Sequence, residues 1–206
     1  TLLELTAAFA PFANGGFRIK PFLIRKVVDA KGRTVLENRP QKEQVLEPAI
    51  AFLVTDMLKD VLAEGGTAGA AGSILERPAA GKSGTSQDNK NAHMIGYTPQ
   101  LLTGVYVGDD YEKPLDSTGG GLAAPLWAWF MRDALQDSEV TEFKKPEGII
   151  RCPICPVSGL PKGPFCPEST RVEHFISDQQ PAACLRCNPS LQFPWLPPVE
   201  RFSDLP

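Results

Sequence analysis

Apolar residues recur every three to four positions in three stretches of the chain, and this spacing predicts amphipathic helices. The stretches cover residues 2–13, 48–64 and 122–135. Glycine pairs at 15–16 and 65–66 follow the first two stretches, as expected where a helix ends in residues that tolerate positive φ. Pro11 lies inside the first stretch, so the last turn of that helix is expected to kink or break early.

Shorter apolar runs bounded by turn residues predict strands. Residues 22–29 and 33–37 flank Lys31 and Gly32 and predict a small hairpin. The segment 41–48 is predicted to be a linker into the second helix.

Three further runs predict an antiparallel meander in the middle of the chain. They cover residues 79–86, 93–98 and 101–108. The helix at 122–135 can pack against this sheet, with Trp127, Phe130 and Met131 on its buried side.

Regular periodicity disappears beyond Asp137. Twelve of the 20 prolines lie from Pro146 onward, so long helices or strands are not expected there. We therefore predict two parts, a domain at 1–137 and a Pro/Cys-rich tail at 138–206.

The composition is that of an ordinary globular protein, with 42% hydrophobic and 22% charged residues among 206. A net charge of −3, without any Lys/Arg run, argues against nucleic acid as a partner. No apolar run approaches the roughly 18 to 20 residues that span a bilayer, and no signal peptide is visible. The sequence begins at Thr1 without a methionine, which favours a processed or truncated polypeptide.

Residues 82–86, Lys-Ser-Gly-Thr-Ser, combine a cation, hydroxyls and a glycine in a short stretch. On an edge strand, Ser83 and Thr85 would point to one face, and the Lys82 ammonium would attract an anionic substrate. Gly84 lacks a Cβ and would let another backbone lie close, and exposed N–H groups could donate to a carbonyl. A solvated turn with an ordinary surface lysine is the alternative that these residues alone leave open.

The same segment resembles the Lys-Thr-Gly signature of β-lactamases and penicillin-binding proteins, with serine at the second position. The surrounding sequence matches too, at 2–6 (Leu-Leu-Glu-Leu-Thr), 12–16 (Phe-Ala-Asn-Gly-Gly), 66–68 (Gly-Thr-Ala), 95–99 (Ile-Gly-Tyr-Thr-Pro), 107–109 (Val-Gly-Asp), 119–120 (Gly-Gly) and 123–127 (Ala-Ala-Pro-Leu-Trp). The chain thus resembles the C-terminal part of the transpeptidase domain of a class A, bifunctional penicillin-binding protein. That resemblance implies an α/β fold, in which an antiparallel sheet packs with helices, and an irregular tail.

The resemblance also implies a reaction, the D,D-transpeptidation of peptidoglycan. In that reaction a serine attacks the penultimate D-alanine carbonyl of a stem peptide, and an amine of a neighbouring stem takes the acyl group. β-Lactam antibiotics mimic the terminal dipeptide and leave the serine acylated. Lys82 would lie beside the nucleophile as the catalytic residue of this chain, and the Thr85 N–H would contribute to the oxyanion hole. The implied substrate-binding residues are Ser83, Gly84, Thr85 and Ser86, and no cofactor is implied.

The chain lacks the nucleophile that this reaction needs. No Ser-x-x-Lys occurs in it and no Ser-x-Asn precedes Lys82, and Ser73, Ser83 and Ser86 are poor candidates. The resemblance therefore implies an upstream half of the domain that carries the serine. A glycosyltransferase domain and a membrane anchor would precede it, with this chain on the extracytoplasmic side. The chain alone is expected to be inactive.

Two other functions stay open. A D,D-carboxypeptidase or β-lactamase would pass the same acyl-enzyme to water, and a non-catalytic fragment or its tail could dock other envelope proteins. The phrases at 12–16 and 123–125 together favour the class A transpeptidase.

All five cysteines lie between Cys152 and Cys187. Two C-x-x-C pairs have the spacing of a four-thiolate zinc site, formed by Cys152, Cys155, Cys184 and Cys187. Outside the cytoplasm thiols tend to oxidise, and the resemblance favours a disulfide between Cys166 and Cys184. We therefore predict one or two disulfides and no metal, and the odd count leaves one thiol free or paired with another chain.

Overall fold

The computed structural model describes residues 1–111, 113–168 and 171–188. The chain divides into two compact units, Thr1–Lys144 and Lys145–Pro206. The helices described are α1 (Leu2–Ala8), α2 (Ala10–Ala13), α3 (Pro48–Lys59), α4 (Gly69–Leu75) and α5 (Ala124–Ala134). The strands described are β1 (Phe17–Ile19), β2 (Lys26–Val28), β3 (Thr34–Glu37), β4 (Lys42–Gln44), β5 (Ala80–Thr85), β6 (Asn91–Tyr97), β7 (Leu102–Gly108), β8 (Ile149–Pro153) and β9 (Val172–Ile176). A 3₁₀ turn at Gln87–Asn89 precedes β6, and a π-helical turn at Gly119–Ala123 precedes α5.

The first predicted helix is divided in two. Thr1 begins α1 with a capping box, in which its hydroxyl accepts from the Glu4 N–H and the Glu4 carboxylate accepts from the Thr1 amino group. Phe9 separates α1 from α2, and Pro11 lies in the first turn of α2, where its missing N–H costs nothing. The early break that Pro11 predicts is therefore confirmed.

The antiparallel sheet β5-β6-β7 forms the centre of the first unit, and it is the meander that the sequence predicts. β6 lies in the middle, so β5 keeps one unpaired edge within the described part of the chain. Met94 and Trp127 are fully buried where α4 and α5 cover one face of the sheet. The Trp127 indole N–H donates to the Gly96 carbonyl at 3.2 Å, and a Cβ at Gly96 would lie only 2.5 Å from the Trp127 ring. Glycine is therefore required at this contact.

The prediction that Phe130 is buried is wrong. The buried stripe of α5 consists of Ala124, Trp127, Ala128 and Met131. Phe130 is 53% exposed. At about 100° per residue, position 130 lies roughly 110° from the middle of that stripe, so its ring turns toward solvent.

α1 and α3 cover the opposite face of the sheet. A Cβ at Gly104 of β7 would meet the Thr6 Oγ1 of α1 at 2.1 Å, so helix and strand are in close contact there. From α3, the Thr55 Oγ1 lies 2.9 Å from the Tyr97 hydroxyl and donates to the Phe12 carbonyl at 3.0 Å. A buried hydroxyl thus ties α3 both to β6 and to α2.

Two regions of the first unit differ from the predictions. The expected linker at 41–48 contains β4, which pairs with β1 in a separate two-stranded sheet. The second helix ends at Lys59 rather than at 64, and α4 follows it. After α3 the chain turns back and lies against the end of that helix. The approach is so close that a Cβ at Gly66 would lie 2.2 Å from the Asp60 carbonyl oxygen. The predicted hairpin is present as β2 and β3, with shorter strands.

In the described part of the second unit, β8 and β9 form an antiparallel pair of strands, which the proline-rich composition did not predict. Its described buried residues are Ile149, Cys155, Pro161, Gly163 and Cys184. None of the helices that the structure describes, in either unit, has both the length and the apolar character needed to cross a bilayer.

Candidate functional site

The unpaired edge of β5 carries backbone donors and a cation. The Ser86 N–H donates to the Asn91 carbonyl at 2.9 Å, which continues the β5-β6 ladder one residue beyond the strand. Because successive N–H groups of a strand point to opposite sides, the N–H groups of Thr85 and Ser83 point away from β6, toward the open edge. The exposed Lys82 side chain lies along this edge, where its Nζ donates to the Ser83 carbonyl at 2.7 Å. An extended ligand placed on the edge would therefore meet N–H donors and a positive charge.

Ser83 and Thr85 share one face of β5, as their spacing predicts. The Ser83 Oγ lies 3.1 Å from the Thr67 Oγ1, just before α4. The Thr85 Oγ1 accepts from the Gly119 N–H at 2.9 Å. Because this contact uses the Thr85 oxygen as an acceptor, its own O–H remains able to donate to an anionic oxygen.

Two glycines let the π-helical turn lie directly against this face. A Cβ at Gly119 would lie 2.2 Å from the Gly84 carbonyl oxygen, and a Cβ at Gly120 would lie 1.9 Å from the Thr67 carbonyl oxygen. A Cβ at Gly84 itself would meet the His93 Cβ at an ordinary 3.7 Å. The close packing of the turn against β5 therefore requires glycine at position 119 rather than at position 84. The turn contacts the carbonyl of Gly84 and not its Cα.

Ser86 lies beyond the end of β5, in the turn before β6. Its Oγ accepts from the Asn91 N–H at 2.9 Å, and the Asn91 Oδ1 accepts from the Tyr106 hydroxyl at 2.6 Å. The Tyr106 ring packs against the His93 ring with centroids 5.0 Å apart. In this structure the Ser86 hydroxyl holds the turn and the returning strand.

The structure brings four of the five cysteines together in the second unit. The Sγ atoms within 4.8 Å of one another are those of Cys155, Cys166, Cys184 and Cys187. Cys152 lies in β8 instead, where its Sγ contacts the Pro153 carbonyl oxygen and the Gln180 Nε2. Of the four cysteines with zinc-site spacing, Cys152 therefore lies outside the cluster, and Cys166 takes its place. A turn between Gly163 and Cys166 positions the Cys166 thiol, because each residue's N–H donates to the other, to the Gly163 carbonyl and to the Cys166 Sγ. All five cysteines are free thiols, so the disulfide predicted between Cys166 and Cys184 is not formed in the structure.

Two family models match this chain. The penicillin-binding protein transpeptidase domain matches residues 1–133, and the C-terminal domain of penicillin-binding protein 1A matches residues 145–183. The chain belongs to the penicillin-binding protein transpeptidase family. The resemblance in the sequence and the α/β fold that it implies are both confirmed.

Individual penicillin-binding proteins show the same likeness. Penicillin-binding protein 2D of Bacillus subtilis is 36% identical over 198 residues, which cover 92% of this chain and 28% of that protein. The crystal structure of penicillin-binding protein 1A from Haemophilus influenzae superposes with a TM-score of 0.78 at 26% identity, over 88% of this chain and 32% of that one. A ceftriaxone acyl-enzyme complex of penicillin-binding protein A from Mycobacterium tuberculosis superposes with a TM-score of 0.54 at 26% identity, over 66% of this chain and 32% of that one. The chain thus spans about a third or less of the length of these relatives.

Two groups that contact the β5 residues of this penicillin-binding protein chain were not predicted from the sequence. They are the Thr67 hydroxyl and the Gly119 N–H, which contact Ser83 and Thr85. Both lie in short phrases that resemble the family, Gly-Thr-Ala and Gly-Gly, and this likeness was the one available signal. No periodicity links residues 16 or 34 positions apart, so only the fold brings them to β5.

Proposed function

We propose that this chain is the substrate-binding part of a peptidoglycan D,D-transpeptidase whose nucleophilic serine lies in a segment outside this sequence. The open edge of β5 carries the proposal, because a cation and backbone N–H donors lie there beside two hydroxyls. The ceftriaxone acyl-enzyme complex of the Mycobacterium tuberculosis relative supports a mechanism through an acyl-enzyme. Peptidoglycan stem peptides and β-lactam antibiotics are then the ligands of the site.

The proposed reaction is acyl transfer. The serine hydroxyl gives its proton to a base of the assembled domain as its Oγ attacks the penultimate D-alanine carbonyl carbon. A C–O bond forms, and the resulting oxyanion accepts from the Thr85 N–H. Such a donor typically supplies about 3 kcal/mol of transition-state stabilisation. The C–N bond to the terminal D-alanine then breaks, and this leaving amine takes a proton. An amine of a neighbouring stem attacks the ester carbonyl carbon, and the C–O bond to the serine breaks as the new amide forms. The proton that this amine loses passes to the serine Oγ.

The remaining residues of the β5 site hold the substrate. Lys82 attracts the terminal carboxylate and assists proton transfer through its positive charge. The Ser83 and Thr85 hydroxyls donate to the carboxylate, and Gly84, which has no side chain, lets the peptide backbone lie close. Ser86 keeps the end of the strand in place through Asn91.

The same proposal assigns the chain to the extracytoplasmic side of the membrane. The full-length protein would supply a membrane anchor, a glycosyltransferase domain and the other half of the transpeptidase domain. The small share of each relative that this chain covers supports such a larger protein.

Intact-mass spectrometry after incubation with a penicillin tests where the nucleophile lies. We expect the full-length protein to gain the mass of the drug on a serine outside the 206 residues. The isolated chain is expected to gain none. A drug adduct on the isolated chain would contradict the proposal. Incubation of the full-length protein with stem peptides should yield cross-linked dimers, whereas release of D-alanine with hydrolysis alone would indicate a carboxypeptidase.

Replacing Lys82 tests its role in the full-length protein. We expect Lys82→Ala to lower the rate constant of penicillin acylation by about a hundredfold or more, since the variant loses the charge beside the reacting groups. Lys20→Ala is the matched control, because Lys20 is an exposed lysine outside β5. Equal acylation rates in Lys82→Ala and wild type would reject this role and favour a docking function.

A further inference from the structure

The four clustered cysteines of the second unit, Cys155, Cys166, Cys184 and Cys187, have no part in the acyl transfer proposed above. Their Sγ atoms all lie within 4.8 Å of one another, and those of Cys155 and Cys187 are 3.6 Å apart. A zinc ion with four thiolates at about 2.3 Å holds its sulfur atoms about 3.8 Å apart. A disulfide joins only two sulfurs, at about 2.05 Å, and gives no reason for all four to converge. The spacing therefore fits one tetrahedral ion.

Cys155 begins a tight turn that backbone hydrogen bonds hold in place. The Gly159 N–H donates to the Cys155 carbonyl at 2.8 Å, and the Cys155 N–H donates to the Leu160 carbonyl at 2.7 Å. The backbone therefore fixes the position of Cys155 at the start of this turn.

Backbone contacts also position Cys166 and Cys184. The Cys166 Sγ accepts from the Gly163 N–H at 3.3 Å, and the Cys184 N–H donates to the Pro161 carbonyl at 2.8 Å. A Cβ at Gly163 would lie 2.3 Å from the Cys184 carbonyl oxygen, so these segments meet only at a glycine. Cys184 and Cys187 have the C-x-x-C spacing that is common among the ligands of structural zinc sites. The cluster is therefore built by the backbone rather than by flexible side chains.

Little apolar side-chain material is buried among the described residues of this unit. Among its described residues, Ile149 is the buried large aliphatic side chain. The other buried residues are Cys155, Pro161, Gly163 and Cys184. A two-stranded sheet such as β8 and β9 is marginal in water by itself. Small units of this kind usually need disulfides or a metal ion.

We propose that Cys155, Cys166, Cys184 and Cys187 bind one zinc ion that stabilises the second unit, and that Cys152 is not a ligand. Four thiolates in tetrahedral array select a soft ion, and zinc in such a closed site is structural and redox-inert. Binding releases the thiol protons to solvent and requires no oxidant.

Metal analysis of the purified 206-residue chain tests the proposal. The chain is prepared without chelator, its zinc is measured by mass spectrometry, and its thiols are titrated after unfolding in a chelator. We expect about one zinc ion per chain and five reactive thiols.

Two serine variants distinguish the proposed ligand Cys166 from Cys152, which lies outside the cluster. Loss of an outer-shell partner weakens metal binding by about 10- to 100-fold. Cys166→Ser removes a ligand and should therefore weaken zinc binding by more than this, as measured by competition with a chelating dye. Cys152→Ser is the matched control, because it makes the same substitution in the same unit outside the cluster, and its affinity should equal that of wild type. Equal losses in both variants would overturn this ligand set.

Two measurements on the wild-type chain do not depend on the folding of a variant. Cobalt(II) in place of zinc should give the intense visible absorption of a tetrahedral thiolate site, and a weak octahedral spectrum would overturn the proposal. A metal-free chain that lacks the mass of four hydrogen atoms and has a single reactive thiol would instead show two disulfides. Failure of zinc binding leaves the Lys82 experiment unaffected, so the two proposals can fail separately.

Discussion

Thr85 carries two donors of different kinds at the β5 edge. Its backbone N–H points to the open edge, and its hydroxyl lies on the face where the Gly119 N–H orients it at 2.9 Å. The period of two along a strand was sufficient to predict that Ser83 and Thr85 share a face. The orienting donor lies 34 residues away and was not predictable from any local pattern.

Substitution of Thr85 in the full-length protein separates its hydroxyl from its N–H. Thr85→Val keeps the shape, the strand preference and the N–H, and it removes only the hydroxyl. We expect penicillin acylation to slow about 10- to 100-fold, because a hydrogen bond to a charged group contributes about 1.5–3 kcal/mol. Thr85→Ser restores the hydroxyl and should recover most of the rate. A valine variant as fast as wild type would show that the hydroxyl does not bind the carboxylate.

Periodicity predicted the longer helices and the meander, but it failed at short elements. α3, α5 and the three strands of the central sheet carry strong patterns, and they are present with shifted ends. α4 is rich in glycine and alanine, and β4 is exposed, so neither has the apolar spacing from which an element is predicted. Their structure depends on partners elsewhere in the chain, namely the end of α3 and the strand β1.

The π-helical turn is the element that supports β5 from behind, and Gly119→Ala tests it. The new Cβ would lie 2.2 Å from the Gly84 carbonyl oxygen and 2.8 Å from that of His93, and these backbone atoms cannot move away cheaply. We expect a loss of about 1–3 kcal/mol in the free energy of unfolding, measured with urea, and slower acylation in the full-length protein.

Gly121→Ala is the control for this prediction. It makes the same change in the same turn, but its Cβ would meet the Ser117 Oγ, a side-chain atom that can rotate away. Its unfolding free energy should stay within about 0.5 kcal/mol of wild type. Equal stability of the two alanine variants would contradict the proposed close packing.

Across the first unit, a buried hydroxyl network joins parts of the chain that are distant in sequence. The Thr55 hydroxyl of α3 contacts the Tyr97 hydroxyl of β6 and the Phe12 carbonyl of α2. Burial raises the pKa of Tyr97 to about 12, although its hydrogen bond with Thr55 opposes the shift. The folded state therefore favours the protonated tyrosine.

This pKa predicts how stability changes at high pH. The folded-state pKa of Tyr97 lies above its ordinary value of 10, so its contribution is fully present below pH 10 and is lost as the pH rises to about 12. The unfolding free energy of wild type, relative to Tyr97→Phe, should fall by up to about 3 kcal/mol over this interval, because each pKa unit corresponds to about 1.4 kcal/mol. Urea unfolding at a series of pH values measures the difference.

Tyr111→Phe serves as the control for this pH series, since Tyr111 is 82% exposed. Its unfolding free energy should follow that of wild type across the same interval. Parallel profiles for wild type and Tyr97→Phe would show that Tyr97 does not titrate as its burial requires.

The sequence by itself determined the main helices, the meander, the two faces of β5 and the family, because periodicity and short motifs are local properties. Only the tertiary structure decided that Thr67 and Gly119 meet β5, that Phe130 is exposed, and that Cys166 rather than Cys152 joins the thiol cluster. These features depend on the path that turns and loops take between distant segments. One close contact at a glycine, such as that between Gly163 and the Cys184 carbonyl, can determine such a path. No spacing of residues along the chain encodes that contact.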